Sequence, residues 1–353
     1  MIRRTQRIWA MCAAAAALTV LAACAGRDVV MYADPSPDAH IEVMYVTTQR
    51  GLGTMNDTFG KKRNFSLNHF RAEVSVPPIH EVGKIEWPRG TPDASRHFVI
   101  TDSRLLPDTT QMARRIAAER NGGNTMIFVH GYNNTLSEAM YRFAQIKTDY
   151  GVSGPGVLFS WQSAGNPRGY IYDRDSVLFA RDDLVETIRE VVRQSNERVF
   201  LLAHSMGAQL TMEALRQIAL TGDRALLNRV AGVVLISPDI DPDLFRDQVE
   251  TVGKLQTPIF IFVSRDDWAL GFVSWITGSK ERLGVITSSE QVEGLDVRVV
   301  DVSGLEDGQN LNHATVFTSA AAVGVLRGLI DEANAGGNPF PDYIALTGDN
   351  VNR

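Results

Sequence analysis

Val199-Phe200-Leu201-Leu202-Ala203-His204-Ser205-Met206-Gly207-Ala208 is the stretch whose reading decides the fold. An apolar run of β-favouring residues ends at a serine flanked by small residues, and a helical pattern follows. A strand that turns sharply into a helix at such a serine holds the hydroxyl clear of the sheet. A free serine hydroxyl is a weak nucleophile and needs a base. The next backbone N–H, that of Met206, falls at a helix start, where negative charge is favoured. Ala203 stands where Gly-x-Ser-x-Gly has its first glycine, a departure of one methyl group. The bland alternative is an N-cap serine. The preceding strand and the small residues behind favour the nucleophile.

Working outward, Met126-Ile127-Phe128-Val129-His130-Gly131-Tyr132-Asn133-Asn134 reads as an apolar strand opening into a His-Gly loop. Such a loop aims a backbone N–H at a developing oxyanion, and Tyr132 supplies the candidate donor. Asn133 and Asn134 favour turn conformations that brace the loop. His130 reads as a local structural group with no part in proton transfer. Asn312-His313-Ala314-Thr315 precedes the last helix. His313 is the one histidine after Ser205, so a Ser…Asp…His order has a single candidate base.

Around these motifs strands and helices alternate. Strands are expected at 41–47, 70–76, 97–101, 125–130, 156–160, 198–203, 230–237, 258–264 and 297–302. Helices are expected at 109–119, 135–149, 175–195, 206–220, 243–253 and 314–333. Such alternation implies βαβ units and a mainly parallel sheet with helices on both faces. The strands are apolar throughout, as doubly covered strands are. The earliest strands lack intervening helices and are expected to form an antiparallel N-terminal edge.

His130-Gly131-Tyr132-Asn133-Asn134, Phe159-Ser160-Trp161-Gln162-Ser163, Ala203-His204-Ser205-Met206-Gly207 and Asp266-Asp267-Trp268-Ala269-Leu270 together resemble a bacterial family of α/β-hydrolases of unknown function, some of them lipoproteins. The resemblance covers roughly 41 to 330. The elbow and His-Gly motifs occur across the superfamily; the Asn-Asn and Ser-Trp elements are narrower. It implies an α/β-hydrolase fold and a hydrolase, and it names no substrate. It aligns Asp267, followed by x-Ala-Leu, with the acid that orients the base. Asp266 next to it, and Asp239 or Asp241 after the strand at 230–237, remain alternatives, since acids also sit one strand earlier on this fold. Trp161, Phe272 and Trp275 are candidates for an apolar wall lining the substrate, with core packing as the plainer reading of each.

The N-terminus reads as a targeting segment. Arg3, Arg4 and Arg7 precede an Ala-rich apolar stretch that closes on Leu21-Ala22-Ala23-Cys24. This resembles a lipobox, in which Cys24 is lipidated and becomes the new N-terminus. The expected divisions are a signal peptide at 1–23, a tether at 24–40, one hydrolase domain at 41–335 and a flexible tail at 336–353. The expected location is the bacterial envelope, in the outer membrane if the cell is Gram-negative. Cys12 and Cys24 are the two cysteines, so a domain built from the remainder relies on no disulfide and no thiolate.

The net charge of −6, without basic clustering, argues against a nucleic-acid partner. Asp239-x-Asp241-x-Asp243 mimics part of a calcium loop, but Leu244 occupies the position that needs glycine, so capping fits better. No metal or cofactor is expected. The reading is an esterase-like serine hydrolase acting on a small-molecule or lipid ester. An acyltransferase with the same triad, and an envelope binding or structural protein that kept the fold, are the alternatives.

Overall fold

The computed structural model describes residues 30–51, 62–88, 90–119, 123–265, 270, 282–286, 289–305, 315–335 and 343–347. At the centre of its sheet, β6 (Val199–His204) lies between β4 (Thr125–Val129) and β7 (Val230–Ile236), all three parallel. Outward from β7 come β8 (Ile259–Val263), β9 (Val297–Gly304) and β10 (Tyr343–Thr347), each parallel to its neighbour. Outward from β4 come β5 (Gly156–Ser160) and β1 (His40–Arg50), also parallel. β2 (Arg63–Val76) and β3 (Val99–Leu106) complete this side as the antiparallel edge.

Uniformly apolar strands serve two separate cores. Ile127, Val129, Leu201, Ala203, Val233 and Leu235 face one core, and Met126, Phe128, Phe200, Leu202, Val234 and Ile236 face the other. Period-two alternation sends every second side chain through to the opposite layer. The first core is closed by α1 (Thr109–Glu119), α3 (Tyr170–Ser195), α4 (Met206–Leu220), the short α5 (Arg224–Leu227) and α6 (Pro242–Val252). The second is closed by α2 (Leu136–Tyr150), α7 (Thr315–Thr318) and α8 (Ala320–Ala335).

Local signals set several helix starts. Thr135 and Glu138 form a capping box on α2, and Gly151 ends that helix in the left-handed region at φ 65°. Asp241 caps α6 by accepting the N–H groups of Asp243 and Leu244, the capping role its position suggests. The chain order reverses beside β4, with β5 on one flank and β6 on the other. A crevice opens at such a switch point beyond the carboxyl ends of the strands, and Ser205 follows β6 at that edge.

Against the sequence expectation, β2 begins at Arg63 rather than 70, and β3 runs to Leu106 rather than 101. The helix expected at 314–333 is two, Thr315–Thr318 and Ala320–Ala335. Three further departures have local causes. α3 begins at Tyr170, five residues before the expected 175, because Tyr170 and Asp173 are drawn into buried polar contacts. The segment expected to be a free tether to residue 40 joins the body earlier: the N–H of Ile100 donates to the Met31 carbonyl at 2.9 Å. The tail expected to be flexible from Gly336 carries β10, where Tyr-Ile-Ala-Leu-Thr is a β-favouring island among Gly, Pro and Asn.

Candidate active site

Ser205 sits at the junction of β6 and α4 with φ 53° and ψ −122°. A non-glycine residue held there stores strain of order 1–3 kcal/mol, and the surroundings must enforce it. Its N–H donates to the Ile236 carbonyl at 2.9 Å, and its own carbonyl accepts from Ala208 at 3.0 Å and from Asp239 at 3.2 Å. The Ser205 side chain makes no capping hydrogen bond to α4. Met206 opens that helix, so its N–H is among those left without an intrahelical partner.

The His-Gly loop presses directly on this turn. A Cβ at Gly131 would lie 3.0 Å from the Ser205 Cβ and 2.7 Å from His204 Nδ1. A Cβ at Gly207 would lie 2.3 Å from the His130 carbonyl oxygen. Two glycines therefore permit the loop and the elbow to touch. Gly207→Ala is expected to force backbone apart, with a loss of about 1–3 kcal/mol in urea unfolding; an unchanged midpoint would count against this packing.

His130 is fully buried. Its Nδ1 donates to the Gly131 carbonyl at 2.8 Å, and Ser160 Oγ lies 3.3 Å from Nε2. The ring stacks on the Trp161 indole with centroids 5.1 Å apart, and Trp161 Nε1 donates to the His130 carbonyl at 2.7 Å. Burial, followed by the nearby charge of Arg50, pushes the imidazole down to about 3. His130 is thus a neutral structural group. Trp161, a candidate for the substrate wall, is buried behind the loop and contacts His130.

The rest of the loop is held from a side that the sequence does not announce. Asn133 adopts φ 56° and its N–H donates to the Asp173 carboxylate at 3.2 Å. That carboxylate also accepts from Ser163 Oγ and the Ala164 N–H, each at 2.6 Å. Desolvation raises the Asp173 carboxyl pKa against these hydrogen bonds. Asn134 donates to the Tyr132 carbonyl at 2.9 Å, and Arg50 donates to the Asn134 carbonyl at 2.8 Å. Tyr132 is half-buried, donates its hydroxyl to Pro167, and meets Tyr170 edge-on at 5.5 Å. The sequence expectation starts this helix at 175, which leaves Asp173 in the loop before it, and no spacing distinguishes it.

A second buried cluster adjoins the elbow. Asp239 accepts from the Tyr170 hydroxyl at 2.9 Å and pairs with Arg282 Nε at 3.2 Å, and Arg282 also donates to the Tyr170 oxygen at 3.3 Å. The segment carrying Arg282 runs against the strand ends, with Gly284 donating to Pro238 and accepting from Ser264, both at 3.0 Å. Asp266, Asp267, His313, Phe272, Trp275 and Cys24 lie outside the described residues. Arg265, just ahead of the two aspartates, and Thr315, two residues after His313, are described. β8 and β9 run parallel to β6 and leave the sheet at the same edge. The Phe317 ring, four residues beyond His313, meets the His204 ring edge-on at 5.3 Å.

With the sheet and its strand–helix turn described, the comparisons with known proteins give the family. The chain belongs to the family described as alpha/beta hydrolase of unknown function (DUF900), whose model matches residues 107–331. Among solved structures, this α/β-hydrolase is similar to Aspergillus fumigatus lipase B, at 15% identity and a TM-score of 0.39, covering 74% of this chain and 63% of that one. The chain thus spans less than two thirds of that lipase. It is also similar to fungal esterases from Rhizomucor miehei, at 11% identity and a TM-score of 0.37, covering 88% and 87%. A third is brefeldin A esterase, a bacterial homologue of human hormone-sensitive lipase, at 13% identity and a TM-score of 0.31, covering 92% and 74%. No curated protein matches the chain.

The buried histidines of this α/β-hydrolase make its stability depend on pH. Burial lowers His69, which contacts Thr47 Oγ1 at 2.9 Å, to about 4. His69 and His130 stay neutral in the fold and regain a pKa near ~6.5 on unfolding. The unfolded chain then binds more protons below ~6.5, so their contribution is complete above that pH and is lost as pH falls toward 4 and then 3. Between pH 6.5 and 4, His69→Gln is expected to reduce the slope of unfolding free energy against pH by about one proton. An unaltered slope would show that His69 titrates normally in the fold.

Proposed function

We propose that this protein is a serine hydrolase that cleaves carboxylic esters through an acyl-enzyme. The observation that carries the reading is Ser205, held at φ 53° in the strand–helix turn with its side chain not used as a cap. Ser205 Oγ attacks the carbonyl carbon while His313 takes its proton and passes it to the departing alkoxide. Water then attacks the acyl-enzyme, with His313 again taking the proton and returning it to Ser205. Asp267 orients His313, with Asp239 the alternative one strand earlier. The N–H groups of Met206 and Tyr132 hold the oxyanion. The contact of Phe317 with His204 supports placing His313 near the elbow. Phe272 and Trp275 supply an apolar wall for the acyl group, and lipid on Cys24 ties the enzyme to a membrane of the envelope.

A fluorophosphonate probe followed by peptide mapping tests the nucleophile, and p-nitrophenyl esters of increasing chain length test the reaction. Expected are one modified residue, Ser205, and turnover that varies with acyl length. Modification at a different serine would sink the assignment. A Ser205 adduct without turnover on any ester would remove the ester reading while leaving the nucleophile.

A further inference from the structure

The first described residues are fixed to the body at a defined place. The Met31 N–H donates to the Tyr141 hydroxyl at 3.4 Å, and Ala33 donates to the Ile100 carbonyl at 3.2 Å. The Tyr141 ring in turn meets Trp87 edge-on at 5.4 Å. Trp87 belongs to the loop that follows β2, and that loop exposes three large apolar side chains: Ile79 at 58%, Val82 at 50% and Trp87 at 39%.

This exposure is built in. His80 bridges the loop, contacting Glu86 through Nδ1 and Asp149 of α2 through Nε2, each at 2.9 Å. The Gly83 N–H donates to the same Asp149 carboxylate at 2.7 Å. Gly83 has φ 85°, and a Cβ there would lie 2.3 Å from the Thr318 carbonyl oxygen, so backbone closes over this turn. The loop therefore presents Ile79, Val82 and Trp87 from a braced frame. At its surface Glu81 pairs with Lys84, and His80 is shared between Glu86 and Asp149.

The sequence just ahead says what surface comes near. Five residues separate Cys24 from Val30, and the six residue steps between them span about 20 Å at full extension. Under the proposed lipidation, any bilayer holding Cys24 lies within that reach of Val30, next to Met31, and so near the Trp87 loop. Proximity is imposed by chain length, and the braced loop already holds its three apolar side chains out in solvent. Tryptophan suits such a boundary, with an apolar body and one polar N–H. We infer that the 77–88 loop seats on the bilayer that holds Cys24, placing Ile79, Val82 and Trp87 among the lipid headgroups. This rests on the proposed anchoring. The loop leaves the sheet from the Val76 end of β2, which pairs with His40 at the edge opposite Ser205. Docking thus uses none of the catalytic residues.

The test uses the full-length lipidated protein in phosphatidylethanolamine–phosphatidylglycerol vesicles. Val82→Cys adds a thiol that carries a solvatochromic fluorophore, and Arg168→Cys, beside Pro167 at the catalytic edge, carries the same label as a control. Flotation of the vesicles reports anchoring independently of the probe. The expected result is a floated protein whose residue-82 emission moves to the blue and is quenched by brominated lipid, while residue 168 stays aqueous. Floated protein with an aqueous residue 82, or with equal shifts at both positions, overturns the docking and leaves the anchor intact. Protein that fails to float overturns the anchor and the docking together. Val82→Ser with Trp87→Ser should keep turnover of a soluble ester unchanged while releasing a residue-79 label from the lipid; retained quenching there would also refute the loop's role.

Discussion

Ser205→Ala is expected to lower ester turnover by about 10⁴–10⁶-fold, since removing a triad nucleophile alone costs nearly as much as removing the whole triad. The fold should survive. The Ser205 side chain caps no helix, and alanine accepts the same φ of 53° at much the same strain. The melting temperature should therefore stay close to wild type while fluorophosphonate labelling disappears. Ser205→Gly sharpens the test: glycine tolerates positive φ, so this variant should be equally inactive yet no less stable than Ser205→Ala. A Ser205→Ala protein that keeps a tenth of wild-type turnover would refute the nucleophile, whatever its stability.

Asp267→Asn is expected to reduce kcat by about 10⁴-fold with the fold unchanged, because asparagine leaves His313 in the wrong tautomer. His313→Ala should match or exceed that loss. Asp239→Asn is expected to act through another observable. Asp239 and Arg282 are both buried and 3.2 Å apart, with side-chain exposures of 1% and 8%. Removing one partner of a buried pair leaves an uncompensated charge and costs about 3–5 kcal/mol. Urea unfolding and single-turnover kinetics on the two asparagine variants separate the cases. An Asp239→Asn enzyme that stays folded and loses 10⁴-fold, beside an active Asp267→Asn, would move the triad acid one strand earlier.

The parts legible in the sequence are those whose signal is local. The strand–serine–small-residue run at 199–208 gives the elbow because nearly all its determinants lie within ten residues. The two apolar cores are legible because strands without polar alternation need cover on both faces. Gly131 and Gly207 stand out as motif positions, but their reason appears only in three dimensions: a Cβ would lie 2.7 Å from His204 Nδ1 at the first and 2.3 Å from the His130 carbonyl oxygen at the second. Asp173 could not be found this way. Its partners Asn133, Ser163 and Ala164 come from two loops, and an acid in a polar stretch ahead of an expected helix looks like a surface residue. Arg282 and Asp239 pair across 43 positions with no motif between them. The segment 343–347 was obscured by its Gly- and Pro-rich flanks, which outweigh five residues in any composition window.

The serine turn is fastened to its β7 neighbour by two main-chain hydrogen bonds, from its own N–H to Ile236 at the end of β7 and from the Asp239 N–H, just beyond, to its carbonyl. Those bonds belong to the sheet interior, the part of a protein that opens only when the whole domain does. The amide of Ser205 should consequently exchange with solvent deuterium as slowly as the slowest core amides. Heat inactivation should then follow global unfolding, with no warmed intermediate that keeps its tertiary structure but has lost its nucleophile's geometry.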